Sequence, residues 1–341
     1  MKTLAVKYRP QTFEDVVEQD NIKLILTNQI KNNGIKNAYL FCGKSGCGKT
    51  TNARLFAKTL NGSFENIVEL DAASHSSVED TRSIIADSKY LPIGTKYRIF
   101  IIDECHSLSD KAWQSLLLTL EDPTPTSIFV FCTTDPQKIP VTILSRAQRY
   151  DFQKITQTGI VNRLKYIIDS ENAEGHSYTY TDEALSYIAK LADGGMRSAI
   201  TYMETALGLS EDITIDNVVK ALGTVSYSTM FELTKAVCEM NKRDVIRIVE
   251  TEHSNGTDLK QFIKSYNEFV LDLCVYDLFR SFDYIHIPST YDAEINSFSS
   301  GDFAFFTQLL NEVINLRSAI KWDATPKPTI ESTLLLLCSE A

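Results

Sequence analysis

Gly43-Lys44-Ser45-Gly46-Cys47-Gly48-Lys49-Thr50 fits the pattern GxxxxGK[ST] in full. The apolar run Tyr39-Leu40-Phe41-Cys42 precedes it, and a helical stretch through Leu55 and Phe56 follows. Glycines at these positions let backbone N–H groups curl around a phosphate, and the start of the following helix adds positive potential. In this pattern Lys49 reaches the β- and γ-phosphates, Thr50 offers a hydroxyl to Mg²⁺, and Thr51 extends the site into the helix.

Phosphate chemistry needs a second element to hold the metal and orient water. Arg98-Ile99-Phe100-Ile101-Ile102-Asp103-Glu104 is an apolar strand ending in two adjacent carboxylates, about fifty residues after the phosphate loop, the spacing of a Walker A and B pair. Asp103 is expected to bind Mg²⁺ through its water shell, and Glu104 to polarise water for in-line attack on the γ-phosphate. Asp103-Glu104-Cys105-His106 also spells the DExH box of a helicase class. Those helicases need a second motor domain downstream, and here the remainder is helical and acidic, so His106 is read as a structural residue at the strand-to-helix turn.

These residues must be positioned by a parallel sheet. Ala38–Cys42, Ile67–Leu70, Arg98–Ile102 and Ile128–Cys132 read as short buried strands separated by helical patterns, which is α/β architecture covered on both faces. After Phe152 helical spacing dominates. Leu185, Ile188 and Leu191 share a face after the cap-forming Thr181-Asp182, and Gly194-Gly195 ends that helix. A second helical block runs from about Tyr227 to the end, with a polar break around residues 281–302. Boundaries near 156 and 224 give three domains: a nucleotide-binding core at 1–156, a small helical lid at 157–224 and an all-helical collar at 225–341.

Length and charge narrow the function classes. A chain of 341 residues exceeds one ordinary core, and 43% hydrophobic with 23% charged residues is a globular composition. The net charge of −10 argues against bulk electrostatic coating of nucleic acid. It is unevenly placed: residues 1–160 carry 19 Lys+Arg against 17 Asp+Glu, residues 161–341 carry 15 against 27. Any polyanion contact is therefore expected on the N-terminal part. The seven cysteines are scattered without a CxxC pair, which speaks against a zinc knuckle or disulfide framework. With no leader pattern and no long apolar run, a cytoplasmic chain is expected.

Beyond the two motifs the chain resembles the gamma/tau subunit family of bacterial DNA polymerase III clamp loaders, over nearly its whole length. Lys7-Tyr8-Arg9-Pro10-Gln11-Thr12-Phe13-Glu14-Asp15-Val16-Val17 is similar to that family's opening, which implies that Tyr8, Arg9, Pro10, Val16 and Val17 flank the adenine. Glu69-Leu70-Asp71-Ala72-Ala73-Ser74, Val78-Glu79-Asp80-Thr81-Arg82 and, most specifically, Thr133-Thr134-Asp135-Pro136-Gln137-Lys138-Ile139-Pro140-Val141-Thr142-Ile143-Leu144-Ser145-Arg146 match as well. The resemblance makes Thr134 a strand-end sensor and Arg146 an arginine acting on a neighbouring subunit's γ-phosphate. Gly194-Gly195-Met196-Arg197 resembles the lid motif, with Arg197 reading nucleotide state.

It implies an AAA+ ATPase using ATP and Mg²⁺ in a hetero- or homo-oligomeric ring of five, opening a sliding clamp and placing it on primer–template DNA. Another AAA+ DNA motor for branch migration or recombination, or a scaffold subunit of the ring, are the alternatives. Two departures matter. Leu60–Asn66 joins helix to strand directly where the family usually inserts a four-cysteine zinc module, so zinc is not expected. His75-Ser76-Ser77 stands where basic residues commonly face DNA, leaving Ser76 and Ser77 to bond phosphate through hydroxyls and Arg82 and Lys89 to supply charge. The long tail of the tau form, with its helicase and polymerase contacts, is not expected, and both a small bacterial genome and a phage remain open as source.

Overall fold

A computed structural model describes residues 3–75, 77–223 and 225–338, with backbone only for Asp283. The chain forms two compact units, Met1–Ser170 with Leu191–Thr201, and Glu171–Lys190 with Tyr202–Ala341.

In the first unit, α1 (Leu4–Lys7) and α2 (Asp20–Lys31) lead into a five-stranded sheet. Its strands are β1 (Ala38–Cys42), β2 (Ile67–Asp71), β3 (Arg98–Asp103), β4 (Ser127–Thr133) and β5 (Gln148–Asp151), in spatial order β2-β3-β4-β1-β5. Every pairing is parallel, so each connection must cross over. The crossovers carry α3 (Lys49–Asn61), α4 (Val78–Ser88), α5 (Asp110–Glu121) and α6 (Val141–Leu144); α7 (Gln157–Ala173) starts after β5.

The apolar runs of β1, β3 and β4 are continuous because the sheet is buried on both faces. Leu40, Phe100, Phe129 and Phe131 pack one face against Ile84 of α4 and Trp113 and Leu116 of α5. Tyr39, Phe41, Ile99, Ile101 and Val130 pack the other against Leu26 of α2 and Ala53 and Phe56 of α3. Each such ring, fully buried, contributes on the order of 1.5–3 kcal/mol through removal from water. The expected strands are found, β2 and β3 running one residue further into Asp71 and Asp103. β5 has no counterpart among them: of Gln148-Arg149-Tyr150-Asp151 only Tyr150 is buried, so an edge strand presents no apolar run.

In the second unit, β6 (Thr179–Tyr180) and β7 (Asp212–Ile213) form a two-residue parallel ladder that the fading strand signal did not suggest. α8 (Asp182–Ala192), α9 (Met196–Leu209) and α10 (Ile215–Leu222) accompany it, the first two reaching into residues assigned to the first unit. Then come α11 (Tyr227–Cys238), α12 (Lys242–Ser254), α13 (Leu259–Phe279), α14 (Asp292–Ile295), α15 (Ser300–Ala319) and α16 (Pro326–Leu337). Phe262, Tyr266 and Phe269 of α13 and Phe306, Leu309 and Val313 of α15 centre this core. α15 opens on a full capping box between Ser299 and Asp302. The polar stretch at 281–302 is not a bare loop, because it contributes α14 and the buried Ile285, Ile287 and Ile295.

Candidate functional site

The parallel register brings the carboxyl ends of β1, β3 and β4 to one edge, the side of an open α/β sheet where ligands bind. Cys42 of β1 pairs with Thr133 of β4, and Asp103 closes β3. The phosphate loop leaves β1 at this edge. Gly43, Gly46 and Gly48 have φ of 152°, 77° and 102°, and a Cβ on Gly43 would sit 2.7 Å from the Phe152 carbonyl oxygen. Only glycine fits there.

Lys49 begins α3 and is 5% exposed. Its Nζ donates to the carbonyls of Gly43 at 2.8 Å and Lys44 at 3.0 Å, pinning the ammonium inside the loop. Asn52 is fully buried one turn on and donates to the Gly48 carbonyl at 2.9 Å, bracing the helix start. Thr50 Oγ1 donates to Asp103 Oδ2 at 2.6 Å, so the expected metal hydroxyl and carboxylate meet side by side. Asp103 Oδ1 accepts from the Glu104 backbone N–H at 3.0 Å. Glu104 takes a left-handed φ of 45°, which turns its side chain off the strand direction. Its Oε2 accepts from Thr134 Oγ1 at 3.0 Å and lies 3.4 Å from His106 Nδ1. His106 Nδ1 is also 3.1 Å from Thr133 Oγ1. The expectation of a merely structural His106 is thus refined, since the ring touches the carboxylate to which water activation was assigned.

Among the described residues no three His, Cys, Asp or Glu side chains group to hold a metal ion. Mg²⁺ at a nucleotide takes one or two protein oxygens and completes its shell with phosphates and water, so the Thr50–Asp103 pair fits it. Burial raises the Cys42 thiol to about 11 and pushes up those of Cys47, Cys105 and Cys132.

The remaining expected site residues fall in four places. The opening segment packs on the start of α7: the Tyr8 carbonyl accepts from Arg163 at 2.8 Å, the Tyr8 ring stands edge-on to Tyr166, Val16 is buried, and a Cβ added to Gly159 would lie 3.1 Å from Val17 Cγ1. Arg9 and Pro10 are half-buried beside them. Arg197, exposed, stands second in α9, whose first residue Met196 donates its N–H to the Gly46 carbonyl at 3.0 Å. The start of α9 and the phosphate loop are therefore in direct contact.

Arg146 is apart from this cluster. Its guanidinium donates to the Thr142 carbonyl at 2.7 Å, to Ser145 Oγ at 3.2 Å and to Glu121 Oε1 at 2.8 Å. Of the DNA candidates, Arg82 and Lys89 are exposed on α4 and at its C-cap. Ser77 already serves as the α4 N-cap, accepting from the Asp80 N–H at 3.1 Å and donating to its carboxylate at 2.6 Å. Ser76 lies outside the described residues. Motif reading missed Asp193, which precedes Gly194-Gly195 and reaches back to Lys44; an acidic residue abutting a double glycine at a helix end was its only trace in the sequence.

A parallel sheet, a glycine-rich loop after β1 and a strand-end carboxylate pair facing Thr134 define an α/β P-loop fold of the AAA+ type. The same fold appears in the Holliday junction branch migration motor RuvB of Thermotoga maritima, at TM-score 0.52 and 21% identity over 69% of this chain and 80% of that one. Residues 61–156 match the family described as DNA polymerase III, delta subunit. The chain is 30% identical to the DNA polymerase III subunit gamma of Buchnera aphidicola subsp. Acyrthosiphon pisum, across 98% of both proteins. It is 32% identical to the DNA polymerase III subunit tau of Bacillus subtilis over 97% of its own length, and spans 62% of that relative. The chain belongs to the DNA polymerase III gamma/tau family.

No helix among the described residues is long and apolar enough to cross a membrane.

Proposed function

We propose that this chain is an ATPase subunit of a DNA sliding-clamp loader, binding ATP·Mg²⁺ at the 43–50 loop and hydrolysing it to drive clamp opening and release on primer–template DNA. The observation that carries the reading is the chain of contacts from Thr50 to Asp103 and from Thr134 to Glu104 beside the buried Lys49. Lys49 holds the β- and γ-phosphates; Thr50 and Asp103 hold the metal. Glu104 takes up the proton-bearing side of the attacking water, and Thr134 fixes where that carboxylate points. The metal, when bound, neutralises charge growing on the phosphoryl oxygens.

In this reading residues 1–156 form the nucleotide core, 157–224 the lid and 225–341 the collar that joins subunits, while Tyr8, Arg9, Pro10, Val16 and Val17 border the base and Arg197 reports from the lid. Arg146 serves the neighbouring subunit. Arg82 and Lys89 contact DNA, with Ser77 offering phosphate the start of α4 rather than its hydroxyl, which caps that helix, and zinc has no part. The protein works in the cytoplasm with companion subunits, a clamp and primed DNA.

The deciding experiment measures ATPase of the purified chain, co-expressed with replication proteins, with and without primed DNA and candidate clamps. Stimulation by primed DNA and clamp together supports loading. Turnover coupled to DNA translocation without a clamp would replace the reading with a DNA motor, and absence of any turnover in the assembled ring would replace it with a scaffold.

A further inference from the structure

The turn at Asp193–Met196 is built onto the tip of the phosphate loop. Met196 N–H donates to the Gly46 carbonyl at 3.0 Å, and a Cβ on Gly195 would lie 3.1 Å from the Ser45 carbonyl oxygen. On the other side, Gly194 presses on Lys154, where an added Cβ would come within 2.6 Å of the Lys154 Cβ, and its carbonyl accepts from Ile155 N–H at 3.2 Å. The turn is sharp: Asp193 has φ of 45° and Gly194 of 83°. The Asp193 carboxylate faces two ammonium groups, ion-pairing with Lys44 of the loop through Oδ2 and with Lys154 through Oδ1 at 2.7 Å. Lys44 Nζ donates also to the Asp193 carbonyl at 3.3 Å. The hydrogen bond from Lys154, then that from Lys44, holds the Asp193 carboxyl below the usual range, so it stays ionised at neutral pH.

The loop residue so gripped also shapes the site from within. The Lys44 carbonyl accepts from Lys49 Nζ at 3.0 Å, so the backbone that Asp193 steadies from outside is the backbone that Lys49 contacts from inside. The turn therefore touches the phosphate loop at Ser45 and Gly46 as well as at Lys44.

We propose that Asp193 is a positioning residue for nucleotide: through Lys44 and Lys154 it clasps the 193–196 turn to the loop tip and slows nucleotide release. This rests on the reading of residues 43–50 as a nucleotide site. The clasp is electrostatic and half-exposed, with Lys44 at 44% and Asp193 at 55% side-chain exposure, so its effect is modest and screened by salt.

Stopped-flow release of a fluorescent ADP analogue tests it on the full chain. Asp193→Asn removes the charge and keeps a residue that tolerates left-handed backbone, so release should speed up by about 2- to 10-fold, in line with one or two exposed ion pairs. Lys44→Ala should speed release by less, since Lys154 still holds the Asp193 carboxylate, and the double variant should release no faster than Asp193→Asn alone. The double exchange Lys44→Asp with Asp193→Lys tests charge pairing directly and should recover part of the slow release, which a backbone role alone would not allow. High salt should narrow the difference between wild type and Asp193→Asn. Wild-type binding followed by unchanged release from Asp193→Asn overturns the clasp alone. If the wild type binds no ADP or ATP, the nucleotide site falls and the clasp with it.

Discussion

Thr134 Oγ1 donates to Glu104 Oε2 at 3.0 Å, although thirty positions separate the two residues. The bond joins the ends of adjacent parallel strands, so the direction of the Glu104 carboxylate is fixed by a hydroxyl at the end of β4. Glu104→Gln keeps the acceptor oxygen and shape but cannot take up a proton. It should bind ATP as wild type does and lose turnover by about 10²–10⁴-fold, the usual weight of a general base. Thr134→Val keeps the volume and frees the carboxylate, so kcat should fall while ATP affinity changes little. Equilibrium titration with single-turnover hydrolysis checks both, and wild-type turnover by Glu104→Gln removes Glu104 from the chemistry.

Gly43 gives a prediction that rests on backbone rather than charge. Its φ of 152° and the Phe152 oxygen at 2.7 Å from a would-be Cβ leave no room for alanine. Gly43→Ala should push the loop away from Phe152 and weaken ATP binding by tenfold or more, as expected for strain of about 1–3 kcal/mol. Far-UV circular dichroism should stay near wild type, because the sheet core does not depend on this contact. Unaltered ATP affinity would mean that the loop is not the binding element.

The phosphate site was legible because its parts are contiguous in the chain: eight residues of loop, then a strand whose apolar run stops at two carboxylates. Each signal is local. The same locality hid β5, where Arg149 and Asp151 pair with each other on the exposed side and only Tyr150 reaches the core. It hid Asp193, whose partners Lys44 and Lys154 are 149 and 39 positions away, so its neighbourhood marks it only by the double glycine that follows. It also gave Ser77 a free hydroxyl, whereas the fold spends that group on the α4 N-cap. A four-letter motif names His106, but its contact with Thr133 needs the β3–β4 pairing, which a motif does not contain.

The second unit carries a pH response. Asp272 of α13, 4% exposed, accepts the backbone N–H groups of His286 at 2.7 Å and Ile287 at 3.2 Å, and meets the His286 Nδ1 at 3.1 Å. The Asp272 hydrogen bond raises the His286 pKa above 6.5 against burial; Lys190 opposes and Glu268 assists. A raised folded value means that the charged pair contributes its full stability below the unfolded pKa of about 6.5 and loses it as pH rises through the folded value. Thermal unfolding from pH 6 to 8.5 should therefore show a loss on the alkaline side that His286→Asn flattens. Equal pH slopes for variant and wild type would show that the imidazole stays neutral. Asp272→Asn should cost more at every pH, since a buried acceptor of two backbone N–H groups is weakened as well.

The proposed role of Arg146 predicts that hydrolysis depends on assembly. In the single chain its guanidinium is occupied by Glu121 Oε1 at 2.8 Å and the Thr142 carbonyl at 2.7 Å, and its side chain is 34% exposed. A planar donor held at the surface with part of its fork still open can serve a phosphate brought by another subunit. Arg146→Ala should leave each chain's ATP affinity nearly intact and depress assembly-dependent hydrolysis, with arginine fingers worth about 10³–10⁵ in rate as the upper scale. Glu121→Gln separates this from a purely local role. If Arg146 only braces α5 against α6, removing Glu121 should mimic Arg146→Ala; if Arg146 acts across a boundary, Glu121→Gln should retain most of the turnover. Mixing is the sharper test. Arg146→Ala subunits keep an intact phosphate loop and Lys49→Ala subunits keep an intact arginine, so co-assembly should restore activity that neither variant has alone. Demonstrated co-assembly without restored turnover would place the role of Arg146 within its own chain.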